Sequence, residues 1–268
     1  MEPFETKVVR GMKLRKDGAR EACFTVADTD DQMISWPDWS DRSRRERIHR
    51  HMNNEMTTVE VAAQCLVDFP DADWDLRMEL ARQVWDESRH AMALYRRLKE
   101  LGGRKGEFPV ANFEWTVCSY CDSIVGRIAL QNRTFEAGTM DLMAFLPDSW
   151  RREGDPETAE LLDAIAADEI QHVRFANQWV RRLVSQDKRN LFKVAQAVRL
   201  LDAAQKVFAP APGATNLAGV SIEDVVQSAP LNIADRQLAD FTEDEISALL
   251  QLHGMQSLVS AQEAPAGS

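Results

Sequence analysis

The stretch "ESRH" at residues 87–90, met again as "EIQH" at 169–172, decides how this chain is read. Each is a glutamate with a histidine three places on, and together they use two of the chain's five histidines. Three residues make almost one turn of α-helix, so Glu87 and His90 share a face, as do Glu169 and His172. One such pair alone is only a polar contact on a helix surface. The apolar neighbours give the pairs a direction. Leu76, Leu80, Val84, Ala91, Leu94 and Leu98 lie on the stripe of Glu87, and Leu161, Ile165, Phe175, Trp179 and Leu183 accompany the second pair. Both pairs therefore face inward, where a lone charge is very unfavourable and a divalent metal is the natural partner.

The rest of the chain follows the same helical period. Met52, Val59, Ala62, Leu66 and Phe69 predict a helix over about 42–69, with Ser40 and Asp41 as caps. A second helix, capped by Asp73, runs to about 101, where "LGGRKGEFP" ends it. Further helices are predicted over about 114–145, 156–185 and 188–208, then small ones over 220–253. Thr242 and Glu245 form a capping box within that last stretch. No strand alternation of useful length is read, so the class is all-α. The domain reading is an irregular N-terminal arm at 1–40, a helical bundle at 41–208, a loop with small helices at 209–253, and a disordered tail at 254–268.

Two Glu-x-x-His pairs need one more glutamate from each of two other helices to complete a dimetal site. Glu136 lies 33 residues before Glu169, and Glu55 lies 32 before Glu87, as two similar antiparallel hairpins require. Glu60, 27 before Glu87, is the rival on the first helix and is kept beside Glu55.

A net charge of −11 argues against nucleic acid and anionic membranes as partners. The run "DRSRRERIHR" at 41–50 is read as the solvated first turns of a helix. No transmembrane run or secretory signal is read, and the four cysteines make no disulfide framework, so a cytoplasmic protein is expected. Cys118 and Cys121, in "CSYC", are read as packing residues, as are Trp74, Trp85, Trp115, Trp150 and Trp179. His51 and His253 are read as surface residues, with a histidine near the bundle end a candidate extra ligand.

The stretches "NNEMTTVEVAAQ", "DESRHAMALYRRLKELGG", "GEFPVANFEW", "LQNRTFEAGTMD" and "DEIQHVRFANQWVRRL" resemble the ferritin-like superfamily, and within it the family called domain of unknown function 455. That family usually carries His-Glu where Asn54-Glu55 stands here. The resemblance implies a ferritin-like four-helix bundle with a dimetal-carboxylate core, additional C-terminal helices and an N-terminal arm. The ligands carried over are Glu55 or Glu60, Glu87, His90, Glu136, Glu169 and His172.

Four carboxylates and two imidazoles suit iron or manganese better than thiolate metals, so two metal ions per chain are expected, Fe/Fe or Fe/Mn. The activity expected is an oxidase or oxygenase that activates O2 or peroxide against a small organic substrate. Glu87 and Glu169 would bridge the ions. No flavin, haem or ferredoxin motif is read, so electrons would come from a donor protein, the substrate or a chemical reductant. A monomer or dimer is expected. The alternatives are iron handling or ferroxidase activity without an organic substrate, and a non-enzymatic helical scaffold.

Overall fold

The computed structural model of the chain describes residues 4–225 and 229–252; His253 and the tail expected at 254–268 lie outside them. The described chain is mostly helical, with two small sheets that the sequence reading left out. Strands β1 (Thr6–Val9) and β2 (Met12–Arg15) form an antiparallel hairpin. Its turn residues Arg10 and Gly11 have φ of 44° and 87°. Two left-handed residues match the twist of a two-residue hairpin, so the arm expected to be irregular begins as β structure. Further on, β3 (Val26–Ala27) pairs in parallel with Val110–Ala111, fastening the arm to the body.

Helices α1 (Asp41–Asp68) and α2 (Trp74–Glu100) pack as an antiparallel hairpin. Asp73 caps α2 by accepting from the Asp75 amide at 3.0 Å, and Arg77 donates to the carbonyls of Leu66 and Phe69 at 2.9 and 3.0 Å. The charged run at 41–50 is not a solvated face. Ser43, Glu46, Ile48 and His49 are buried, and Arg45 pairs with Glu107 at 2.9 Å. The arm and the loop after α2 cover this end of α1, so its charges alternate with packing positions.

The third rod departs most from expectation. In place of one helix over 114–145 stand α3 (Phe113–Cys118), α4 (Ile124–Leu130), a π-helical turn (Gln131–Glu136) and α5 (Ala137–Met143). Ser123 caps α4, accepting from the Gly126 amide at 3.3 Å. Fully buried Arg127 fills the break: it donates to Asp68 at 2.8 Å and to the carbonyls of Ser119 and Cys121 at 3.1 and 3.0 Å. Its planar fork has enough donors to satisfy carbonyls that no helical ladder reaches.

Helix α6 (Leu146–Arg152) leads into α7 (Pro156–Gln186), capped by Asp155, which accepts from the Thr158 amide at 2.9 Å. Helix α8 (Asn190–Phe208) packs on α4, and α9 (Ile222–Val225), α10 (Ile233–Leu238) and α11 (Glu243–Leu252) follow. The capping box stands before α11: Thr242 N donates to Glu245 Oε2 at 2.9 Å, and Glu245 N to Thr242 Oγ1 at 3.2 Å.

Two apolar clusters fix where the polar centre sits. One holds Ala62 and Cys65 of α1, Leu76 and Leu80 of α2, Ile128 of α4 and Trp179 of α7. The other holds Ile48 and Met52 of α1, Leu94 and Leu98 of α2, Met143 of α5 and Ile165 of α7. On every rod the sequence passes from one cluster to the other through a buried glutamate. Trp115, Trp150 and Trp179 are buried as expected, whereas Trp74 and Trp85 are 69% and 65% exposed on the outer face of α2.

Candidate metal centre

Between those clusters, α1 contributes Glu55, α2 Glu87 and His90, the π-helical turn Glu136, and α7 Glu169 and His172, all buried. Ligand atoms of Glu55, Glu87, His90 and Glu169 lie within 4.8 Å of one another, and so do those of Glu87, Glu136, Glu169 and His172. Glu87 and Glu169 belong to both groups. The structure thus brings together six of the seven residues read from the sequence. Glu60 stands apart, its carboxylate paired with Arg20. Five residues past Glu55 is about 140° round the helix, which turns Glu60 away from the centre.

The two rings are set the same way. His90 Nδ1 is 3.0 Å from Glu87, 3.4 Å from Glu55 and 3.7 Å from Glu169, while its Nε2 is 3.1 Å from Asp168. His172 Nδ1 is 3.1 Å from Glu87 and 3.7 Å from Glu169, while its Nε2 is 3.3 Å from Asp86. Each ring therefore turns Nδ1 inward and is held by an aspartate at Nε2. The π-helical turn lets Gln131, Asn132 and Glu136 act together. Asn132 donates to Glu136 Oε2 at 2.9 Å and to Gln83 Oε1 at 3.1 Å, and Gln83 donates to the other oxygen of Glu136.

Burial dominates the electrostatics. It pushes the Glu136 carboxyl well up, reinforced by Glu169, and raises Glu169 in the same way, reinforced by Glu87. Burial also opposes ionisation of Glu55, yet the rings of His51 and His90 draw that carboxyl down to about 2. Burial works against the His90 charge, but Glu55 and Glu87 raise the ring to about 11, and His172 is raised by Asp86, Glu169 and Glu87. Four buried carboxylates thus favour positive charge at the centre, which raises both rings.

Sequence reasoning missed several residues. Asp86 and Asp168 directly precede the two Glu-x-x-His words, so their signal was in plain view. His51, read as a surface residue, is half-buried and pairs with Glu55 at 2.8 Å. Glu114 takes hydrogen bonds from Gln131 and, at 3.4 Å, Thr58; burial and the charges of Glu87, Glu55 and Glu169 push its carboxyl up to about 8. Cys118 and Cys121 are buried free thiols, and burial pushes both up, Cys121 to about 12. Neither offers a thiolate near neutral pH.

The residues present could hold metal. Buried Glu169 Oε2 and His172 Nδ1 point into the cluster, where their neighbours are the other candidate ligands, at 3.7 Å from each other and with Nδ1 3.1 Å from Glu87, and neither makes a well-aligned hydrogen bond. Carboxylate and imidazole donors suit hard or borderline divalent cations.

This is a mostly helical protein with a buried glutamate–histidine cluster whose geometry can hold metal. Residues 13–247 match the family model "Protein of unknown function (DUF455)", and the chain belongs to that family. It is also 31% identical over 112 residues to a Haemophilus influenzae protein named "Uncharacterized protein", a match covering 41% of this chain and 37% of that protein. No solved structure matches the chain. Among the described residues, no helix is long and apolar enough to cross a membrane.

Proposed function

We propose that the chain is a ferritin-like, non-haem dimetal oxidase or oxygenase that uses O2 or peroxide to oxidise or hydroxylate a small organic molecule. The observation that carries this reading is the pair of overlapping buried groups that share Glu87 and Glu169. Glu55 and His90 would hold one ion, Glu136 and His172 the other, and the shared glutamates would bridge them. Four carboxylate charges then balance two divalent cations. When bound, an Fe/Fe or Fe/Mn pair would relay to O2 or peroxide the electrons that a donor protein, the substrate or a chemical reductant supplies.

The protein's own residues prepare the site. Asp86 and Asp168 fix the tautomer and tilt of both rings, and Gln83 and Asn132 hold Glu136 in place. Glu114, raised to about 8, keeps a proton at neutral pH beside an adjoining cavity that it lines. That cavity favours an organic substrate over iron handling alone, and the buried convergence of four carboxylates and two imidazoles favours a metal centre over a scaffold.

Anaerobic loading with ferrous iron and metal counting tests the reading. The wild type should hold about two ions per chain, the number for such a ligand set. Glu136→Ala and His172→Ala should each lower that number; unchanged content in both refutes the assignment. An optical change when the loaded protein meets O2 tests the oxidase part separately, and no change there would refute it.

A further inference from the structure

A cavity of about 490 Å³ lies between α1, α5 and the loops of the arm and C-terminal region, and reaches toward the centre as far as His51 and Glu114. One wall is apolar: Phe113, Phe135, Leu142, Met143, Leu146 and Trp150. The opposite wall is the polar side of α1, with Glu46, Arg47, Arg50, His51, Asn54 and Thr57, and Asp30 of the arm also lines the cavity. Two strands of loop close over it. The Leu217 amide donates to Met33 O at 2.9 Å, and Asn216 Nδ2 donates to Ser35 O at 2.9 Å, with Met33, Ser35 and Asn216 lining the cavity.

The cations on the polar wall differ in their partners. Arg50 pairs with Glu46 at 2.9 Å. Arg47 stacks on the Trp39 ring, 4.7 Å from its centroid, and donates to Trp36 O at 3.2 Å. Its buried Nε has no hydrogen-bond acceptor, and the nearby charges of Glu46 and Asp38 act on it without an ion-pair contact among the described residues. Arg47, His51 and Glu55 follow one another at i, i+4 and i+8. The guanidinium therefore stands on the stripe that leads to the centre, about 12 Å of helix rise from Glu55. At the near end, His51 lines the cavity and touches Glu55, and Glu114 lines it too.

We propose that this cavity binds a carboxylate-bearing organic molecule, its head on Arg47, its apolar body along the Phe135–Leu142 wall, and its far end at His51 and Glu114. The proposal rests on the oxidation-centre reading for its chemistry and not for its binding. A cavity of this size and mixed lining is typical of small-molecule sites. An acceptor for a desolvated guanidinium supplies the strong, directional contact such a site needs.

The test compares three probes of equal length, decanoate, decan-1-ol and decylamine, by calorimetry on the metal-free full chain. Decanoate should bind about tenfold or more tighter than the alcohol, the worth of one charge-assisted contact. Arg47→Met should erase that preference, and Leu142→Trp, which fills the cavity, should weaken decanoate and alcohol alike. Equal binding of the alcohol or the amine in the wild type overturns the proposal, as does the absence of binding by all three. A preference that survives Arg47→Met, or affinities unmoved by Leu142→Trp, overturns it too. Metal counting on the same preparations separates the two readings. Two ions without decanoate binding defeats the cavity proposal alone, and binding without metal defeats the dimetal reading alone.

Discussion

Nε2 of His172 lies 3.3 Å from Oδ2 of Asp86, which belongs to the other helical hairpin and directly precedes Glu87. The converse also holds: His90 Nε2 is 3.1 Å from Oδ2 of Asp168, which directly precedes Glu169. Each Asp-Glu-x-x-His word thus orients the histidine of the other. Arg89 pairs with both aspartates, at 3.0 Å from Asp168, and closes the arrangement on its outer side. Two hairpins that each complete the other's site have their relative register fixed by the centre itself.

Asp86→Ala and Asp168→Ala are therefore expected to weaken metal binding by about 10–100-fold each, the usual loss when the outer partner of a metal-bound histidine is removed. Competition against a chelator of known affinity measures this. Affinities equal to wild type would mean that the rings are held by packing alone.

Metal should also stabilise the fold. An ion that binds only the native state adds about 2.7 kcal/mol at a hundredfold excess over its dissociation constant. Melting with manganous ion, or with ferrous iron under anaerobic conditions, should shift upward in the wild type. Glu169→Ala, which lacks a carboxylate common to both groups, should show little shift. An identical melting curve with and without metal in the wild type would mean that the cluster takes up no such ion.

The six converging residues were legible because their signals are local: an i,i+3 spacing, an apolar stripe, and a hairpin length. Glu60 was kept open because depth along a helix is readable from residue counts, while its pairing with Arg20 depends on the arm. The third rod was misread for the same reason. Its break at 119–123 carries no proline or glycine, and what holds it comes from elsewhere in the fold: Arg127 bonded to Asp68 of another helix, and Arg15 of the arm bonded to the Ser119 carbonyl. The π-helical turn left no periodic trace either, because one inserted residue shifts the stripe without erasing it. Glu114 sits on a one-turn-and-a-half helix with no stripe to read. The hairpin at the start of the arm did have a signal, Arg10-Gly11 between alternating residues.

Arg127 gives a stability prediction. Its guanidinium is fully buried and pairs with Asp68, whose side chain is 10% exposed. Arg127→Met removes one of the two guanidinium groups on Asp68, Arg15 being the other at 3.1 Å, and takes the side-chain donor from the Cys121 carbonyl, while Arg15 still reaches that of Ser119. Losing one member of a buried pair costs about 3–5 kcal/mol, and the Arg15 contact that remains on Asp68 sets the expected loss at the low end of that range. Urea unfolding should show a lower midpoint at an unchanged slope. A midpoint within error of wild type would mean that solvent enters the break and replaces the guanidinium.

His49 sets the expected dependence on acid. The ring is buried between Phe24 and Phe108, with centroids 5.7 Å from each, and its Nε2 accepts from the Gly106 amide at 2.9 Å. Burial lowers its pKa from 6.5 to about 4, against a weaker opposing pull from Glu107. Between those values the unfolded chain binds a proton that the native ring refuses, so unfolding is favoured as pH falls. The contribution of His49 is complete above about pH 6.5 and is lost progressively down to about pH 4, at a limit of ~1.4 kcal/mol per pH unit for one proton. His49→Gln keeps an acceptor for Gly106 and removes the titration. Its stability should fall less steeply than that of the wild type across this window, measured by urea unfolding at half-unit steps. Parallel curves would show that His49 titrates alike in both states and that the acid sensitivity comes from the carboxylates.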